Sequence, residues 1–265
     1  AQSAAWRPGD RGHGALVARY GLETFLSAVR TIWRQSEALA REQIERIRPG
    51  NYEAEALFDS DGVNLDRPVP LKVKVEVAGG DMTIDFSDIS AQVPGSINSG
   101  ESGAVAAARV AFKSLVAPYS PIDEGCFRPL KIIIPEGKIL SATPPRPVGN
   151  WSRTLPTVID LILKALAPAM PERIAAGHKG DMGGYAFFGT DPKSGRRFLC
   201  QTIMGGGWGG RAHEDGESAT VSMCQGDVQN APVELQEIYY PVLVEHQRLR
   251  EGSGGAGKFR GGLGI

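Results

Sequence analysis

The stretch "LKVKVEVAGGDMTIDFSD", residues 71–88, limits the fold more than any other part of the chain. Apolar and polar residues alternate on both sides of "AGGD", and a period of two marks strands with one dry and one wet face. Leu71, Val73, Val75 and Val77 share a face, Ile84 and Phe86 return on it, and the paired glycines supply a hairpin turn. A slip of one residue would send all of these side chains into water, so an apolar layer must cover them.

From Leu22 the apolar residues Phe25, Leu26, Val29, Ile32, Trp33, Ile44 and Ile47 recur at three and four, which predicts a helix running to "RIRPG" and stopped by Pro49 and Gly50. Gly21 separates it from a shorter helix expected over residues 13–20. Glu37 and Arg41 lie at i,i+4 on its charged face, read as plain solvent surface. "SGAVAAARVAFKSLV" is a small-residue helix ending before Pro118. "WSRTLPTVIDLILKALAPAM" is a further helix, with Pro156 expected in its first turn and Pro168 near its end. "PLKIIIPEG" reads as a short strand ended by Pro135 and Gly137.

The last hundred residues turn to short β runs, "RRFLCQTIM", "ATVSMCQG" and "ELQEIYYPVLVEHQRL", joined by glycine-rich connections. The expected class is α+β, mixed, with helices in the first two-thirds and antiparallel β with glycine-rich loops toward the C-terminus. The segments are a helical 1–50, a mixed 51–180 and a β-rich 181–265. No initiator Met is present and the chain closes on "GKFRGGLGI", so a piece of a longer polypeptide is expected.

With 29 Lys plus Arg against 30 acidic residues, the net charge of -1 gives no general pull toward nucleic acid or an anionic membrane. Hydrophobic residues at 42% place the chain among globular proteins. Cys126, Cys200 and Cys224 are widely spaced without a C-x-x-C pair, which fits neither a disulfide framework nor a zinc ribbon and suits a reducing cytoplasm.

"GGGWGGR", residues 205–211, contains a literal G-x-G-x-x-G at Gly205, Gly207 and Gly210, and "GSGGAG" contains another at Gly252, Gly254 and Gly257. A dinucleotide turn also needs a helix directly after it, and neither "RAHEDGE" nor "KFRGGLG" can start one. Nor is there a P-loop, since Lys258 is followed by Phe259. What remains is a run that lets backbone approach something closely, with Trp208 as its large side chain and Arg211 as its cation. A substrate floor and a tight packing corner both stay open.

The four histidines, His13, His178, His213 and His246, show no metal-ligand spacing, so a metal site formed wholly within this chain is not expected. His213, Glu214 and Asp215 read as a solvated loop. His178, in "AAGHKGDMGG", is a candidate functional imidazole. In "DEGCFRP", Cys126 beside Arg128 has the make-up of an activated thiol but lacks a neighbouring base, and a buried structural cysteine is the expected role.

Taken together, "YGLETFLSAV", "IDFSDISAQVPGSINSG", "DEGCFRPLKIIIPEG", "GGGWGGR", "NAPVELQEIYYP" and "SGGAGKFRGGLG", in this order, resemble the hydantoinase B / oxoprolinase family. That family includes the B-type component of ATP-dependent N-methylhydantoinase, the corresponding half of 5-oxoprolinase, and large subunits of acetone and acetophenone carboxylases. The resemblance implies a hetero-oligomer in which an A-type subunit holds ATP and Mg and phosphorylates the oxygen of a cyclic amide or an enolised ketone. The B-type component then completes hydrolysis, or alternatively carboxylation, with a divalent metal of the Zn or Mn type. The family's metal ligands lie in an N-terminal "NDPY-x-GG-x-H" type segment that is absent here. The metal is therefore expected outside this chain, and the chain alone is expected to be inactive. Asn98, Glu124, Arg128, His178, Gly206, Gly207, Trp208 and Arg211 are the residues expected to wall a cavity for the small-molecule intermediate. A non-catalytic module that holds the A-type partner is the third reading.

Overall fold

A computed structural model describes residues 2–180, 183–223, 228–229 and 231–265. Two N-terminal helices, α1 (Gln2–Tyr20) and α2 (Leu22–Glu45), meet at Gly21, where a φ of 81° turns the chain. α1 is longer than the expected 13–20. Pro8 lies inside it, because a proline in a helix removes only one backbone bond and does not oblige the helix to end.

A four-stranded sheet follows in the order β1 (Gly50–Phe58), β2 (Val69–Ala78), β3 (Asp81–Asp85) and β4 (Leu130–Ile133). The hairpin forms as expected: β2 and β3 pair antiparallel with Val75 opposite Ile84, and Gly79 and Gly80 make the turn at φ 58° and 79°. Positive φ at both positions is the geometry that favours glycine in a two-residue turn. β1, which the sequence reading did not assign, pairs antiparallel with β2, and β4 pairs parallel with β3. A parallel pair needs a crossover, and α3 (Glu101–Val116) lies within it.

α3 and α4 (Trp151–Leu166) pack on each other and cover the apolar face of the sheet, with the end of α2 alongside. Leu71, Val73, Val75, Ile84 and Phe86 are buried from below, and Val158, Ile159, Leu161, Ile162 and Leu166 from above. Each such side chain contributes roughly 1.5–3 kcal/mol relative to leaving it in water. Alanines 104, 107, 108 and 111 on α3 are buried and allow the close helix approach. The opposite face of the sheet is wet, with Lys72 placed 3.1 Å from Glu55 and Lys74 placed 2.5 Å from Asp88.

Two expectations are corrected here. Pro156 is the sixth residue of α4 rather than part of its first turn; the helix starts at Trp151, so Pro156 falls one turn further in and is buried, while Pro168 lies near the helix end as expected. The charged face of α2 is not plain surface. Arg41 bonds Glu37 at 3.0 Å and reaches Asp81 at 2.7 Å, while Glu37 also takes Arg128 at 3.0 Å, so this face docks the helix onto β3 and the turn before β4. Arg128 and then Arg41 hold the Glu37 carboxyl below the usual carboxylate range.

The last third holds an antiparallel hairpin, β5 (Gly184–Thr190) with β6 (Arg197–Ile203), and the short pair β7 (Gly206–Gly207) with β8 (Ser218–Thr220). "ELQEIYYPVLVEHQRL" is not a strand. It opens with helix α5 (Val233–Tyr239), begun after Pro232 and halted before Pro241, and then continues without regular structure. The end of "ATVSMCQG", including Cys224, lies outside the described residues. The α+β class stands. Among the described residues no helix is long and apolar enough to cross a membrane.

Candidate functional site

The site starts on α4. Its sequence "VIDLI" sets one carboxylate, Asp160, among the buried residues Val158, Ile159, Leu161 and Ile162. After the helix the chain returns past it, and His178 closes onto the carboxylate twice. Its backbone N–H donates to Asp160 Oδ2 at 3.1 Å, and its ring Nδ1 bonds Asp160 Oδ1. An ionised carboxylate only accepts, so Nδ1 carries the hydrogen and the ring is fixed in orientation. The His178 side chain is 5% exposed, and its other nitrogen, Nε2, is buried without a hydrogen-bond partner among the described residues. Leaving such an atom unpaired costs about 1–3 kcal/mol.

Trp208 stands beside it, its ring meeting the imidazole edge-on at 6.4 Å between centroids. The indole Nε1–H donates to the Val221 carbonyl at 2.7 Å, which fixes the ring plane. The two glycine-rich loops of the sequence, around 205–210 and 252–264, close on each other here through backbone bonds. Gly262 N–H donates to Trp208 O at 2.8 Å, Ile265 N–H to Gly205 O at 3.1 Å, and Trp208 N–H to Glu217 O at 3.0 Å. Gly207 is required by this approach, because a β-carbon on it would lie 1.8 Å from Gly262 O. Tight backbone packing therefore accounts for the glycines, and it leaves an open cleft.

That cleft has a volume of about 750 Å³ and lies between the two loops, with His178, Trp208, Arg211 and Lys258 among its lining residues. His178 and Trp208 also line a second cavity of about 330 Å³, together with Asp160, Glu172 and His213. A further cleft of about 510 Å³ runs between the β5–β6 hairpin and the C-terminal segment, past Tyr185, Gln236 and His246. Burial, and then the nearby Cys200, pushes the Tyr185 hydroxyl above its usual range.

Of the residues expected to share one cavity, the structure brings together His178, Gly206, Gly207, Trp208 and Arg211. The other three go elsewhere, each for a visible reason. Asn98 is fully buried and spends its amide on Val93 O, Gly95 O and Pro147 O, each at 2.9 Å, which ties two loops together. Glu124 pairs with Arg109 at 3.0 Å on the α3 side. Arg128 pairs with Glu37 and stands 5.4 Å over the Trp33 ring. Cys126 is buried, with its thiol against Pro121 O, as expected of a structural cysteine. Asp160 was missed because it shares the polar stripe of α4 with Arg153, Thr157 and Lys164, where nothing local sets it apart.

His213 Nε2 pairs with Glu172 at 2.7 Å and both are exposed. Among the described residues no three His, Cys, Asp or Glu side chains converge. The Asp160–His178 pair offers one unpartnered nitrogen, Nε2, and not a ligand set, so the described side chains do not by themselves fit a divalent metal.

Comparisons with known proteins give this geometry a context. A putative D-/L-hydantoinase component of the B type from Pseudomonas sp. (strain NS671) is 32% identical over the whole chain, which covers 46% of that protein. The crystal structure of ATP-dependent caprolactamase from Pseudomonas jessenii superposes with a TM-score of 0.87 at 26% identity, over 99% of this chain and 46% of that one. Acetone carboxylase in its nucleotide-free structure shares the fold, with a TM-score of 0.82 at 17% identity over 94% of this chain and 35% of its own. The chain thus spans about half the length, or less, of the relatives it matches. The family model for hydantoinase B/oxoprolinase matches residues 1–265, and the chain belongs to that family.

Proposed function

We propose that this chain is part of the B-type component of an ATP-dependent amidohydrolase, which opens a phosphorylated cyclic amide made by a partner A-type subunit. The observation that carries the reading is the likeness to ATP-dependent caprolactamase over nearly the whole chain. An amide carbon is a poor electrophile, and phosphorylation of its oxygen supplies a leaving group. Water then adds to the activated carbon, the ring C–N bond breaks as the nitrogen takes a proton, and hydrolysis of the resulting acyl phosphate by a second water releases inorganic phosphate and the ring-opened acid.

In this reading the cleft beside Trp208 receives the activated ring. Trp208 offers a flat apolar wall held in place by its bond to Val221 O. Asp160 orients His178 so that Nε2 can hold or move a proton at the reacting group. The divalent metal belongs to a part of the protein outside this chain, and ATP with Mg to the A-type partner. The working enzyme is then a hetero-oligomer, and the chain alone does not turn over.

The test is nucleotide release by the full-length B-type protein together with its A-type partner, over a panel of hydantoins, 5-oxoproline and lactams, and over ketones with labelled bicarbonate. Release stimulated by a cyclic amide, with a ring-opened product, is expected. Release that requires ketone and bicarbonate, with label in the product, would replace hydrolysis by carboxylation.

A further inference from the structure

We infer that the cleft between the two glycine loops is an oxyanion subsite that takes a phosphoryl group, an inference that rests on the activity proposed above and narrows it. The cleft is lined by Arg211, Arg250 and Lys258, and among its described lining residues there is no Asp or Glu. The chain as a whole carries 29 basic and 30 acidic residues, so a described lining with three cations and no acid is a local arrangement and not a consequence of composition. Like charges gathered around one concavity raise the local concentration of an anion.

The three cations are positioned by the loops, whereas Lys179, whose stem runs beneath Gly206 where a β-carbon would lie 2.2 Å from its Cδ, directs its ammonium to Met204 O at 3.4 Å. Arg250 is anchored by its backbone N–H on Gly264 O at 2.7 Å. Lys258 stands 5.3 Å over the Phe259 ring on the second glycine loop, and Arg211 is held by Glu214 at 2.6 Å from outside the cleft.

A second and independent feature points to a ligand. His178 lines the same wall, its side chain is more than nine-tenths buried, and Nε2 lacks a partner among the described residues. A protonated Nε2 donates to an oxyanion, and a neutral one accepts from a protonated leaving group. Several cations suit a phosphoryl group, which carries up to two negative charges and three acceptor oxygens, better than a carboxylate with one charge. At about 750 Å³ the cleft lies within the usual range for small-molecule sites and has room for a ring beyond the phosphoryl group.

The test uses the full-length B-type protein with inorganic phosphate and phenyl phosphate, followed by phosphorus NMR titration and calorimetry, with acetate and bicarbonate as monovalent comparisons. Phosphate is expected to bind, phenyl phosphate more tightly, and both monovalent anions more weakly. Lys258→Gln and Arg250→Gln should each weaken phosphate binding by about tenfold, the scale of one charge-assisted contact. Lys74→Gln, on the wet face of the sheet, should leave it unchanged. Lys258 and Arg250 are exposed, so both variants keep the fold, as a circular dichroism melt will show. Acetate binding as tightly as phosphate, or phosphate binding insensitive to both variants, overturns the subsite. Variant-sensitive phosphate binding without any cyclic-amide turnover keeps the subsite and removes the activity. Turnover of a cyclic amide with variant-insensitive phosphate binding does the reverse.

Discussion

Residues 40–170 and residues 176–265 are held together in different ways. In the first region, β1–β4 sit under α3 and α4, and the buried apolar side chains form one continuous cluster from Ala40 to Met170. In the second, the only apolar side chain fully buried among the described residues is that of Cys200. Its order comes from backbone bonds between glycine loops and from a few anchored rings. Side-chain burial builds a rigid platform but uses up the side chains. Backbone pairing leaves Trp208, Lys258 and Arg250 able to line a cleft. The boundary between the regions is where Asp160, rooted in the platform, holds His178, which belongs to the loops.

The comparison can be broken most strongly from the platform side. Phe86 is fully buried between the sheet and the helices. Phe86→Ala should cost about 3–5 kcal/mol in chemical denaturation of the full-length protein. A loss below about 1 kcal/mol would mean that the apolar cluster is not what stabilises this region.

Gly207→Ala comes next. A β-carbon there meets backbone, not a movable side chain, so the loops must part at a cost of about 1–3 kcal/mol. Amide exchange should rise at 205–220 and 261–265 while β2 stays protected. Equal loss of protection in β2 would show that the two regions unfold as one unit.

Acid sharpens the contrast further. Asp61 Oδ1 accepts from the N–H groups of Asn64 at 2.6 Å and Val63 at 2.8 Å, and the Asn64 backbone bond leads in holding its carboxyl below the usual range. Glu37 is lowered by Arg128 and then Arg41. For a carboxylate whose folded pKa is depressed, the stabilisation is complete above its unfolded pKa and is lost as pH falls through the folded value. Unfolding midpoints of the platform should therefore drop progressively on acidification below about pH 4, where ordinary carboxylates titrate. A flat or rising midpoint over that range contradicts the assignment. The smallest effect is expected at Lys72, whose pairs with Glu53 and Glu55 lie on the wet face. Lys72→Met should leave the melting temperature within experimental scatter, since exposed ion pairs add little.

The platform was largely legible in the sequence because period-two and period-3.6 patterns are local. The hairpin, α3 and β4 follow from residues that are neighbours in the chain. β1 escaped because "NYEAEALF" alternates glutamates with small alanines and carries little apolar signal. "ELQEIYY" misled in the other direction, since its apolar residues read as a strand, while the prolines at 232 and 241 bound a short helix. The site was legible in part. Trp208 and its glycines stand out by composition, but their reason for being glycine lies in a loop about fifty residues further along, at Gly262. Asp160 meets His178 across 18 residues of chain, a contact no local pattern encodes. Asn98, Glu124 and Arg128 were expected at the cavity from the segments that carry the family resemblance, and their long-range partners place them outside the cleft.

The most direct test of the cleft's role is steady-state turnover of a cyclic amide by the full-length complex carrying Trp208→Ala, with amide exchange at Gly207 and Gly262 confirming that the loops stay closed. A fall in kcat/KM of about a hundredfold, roughly 2.7 kcal/mol of transition-state stabilisation, is expected from loss of the wall beside His178. Unchanged kcat and KM in a protein with intact loops would contradict that role and leave the glycine cleft as a packing corner alone.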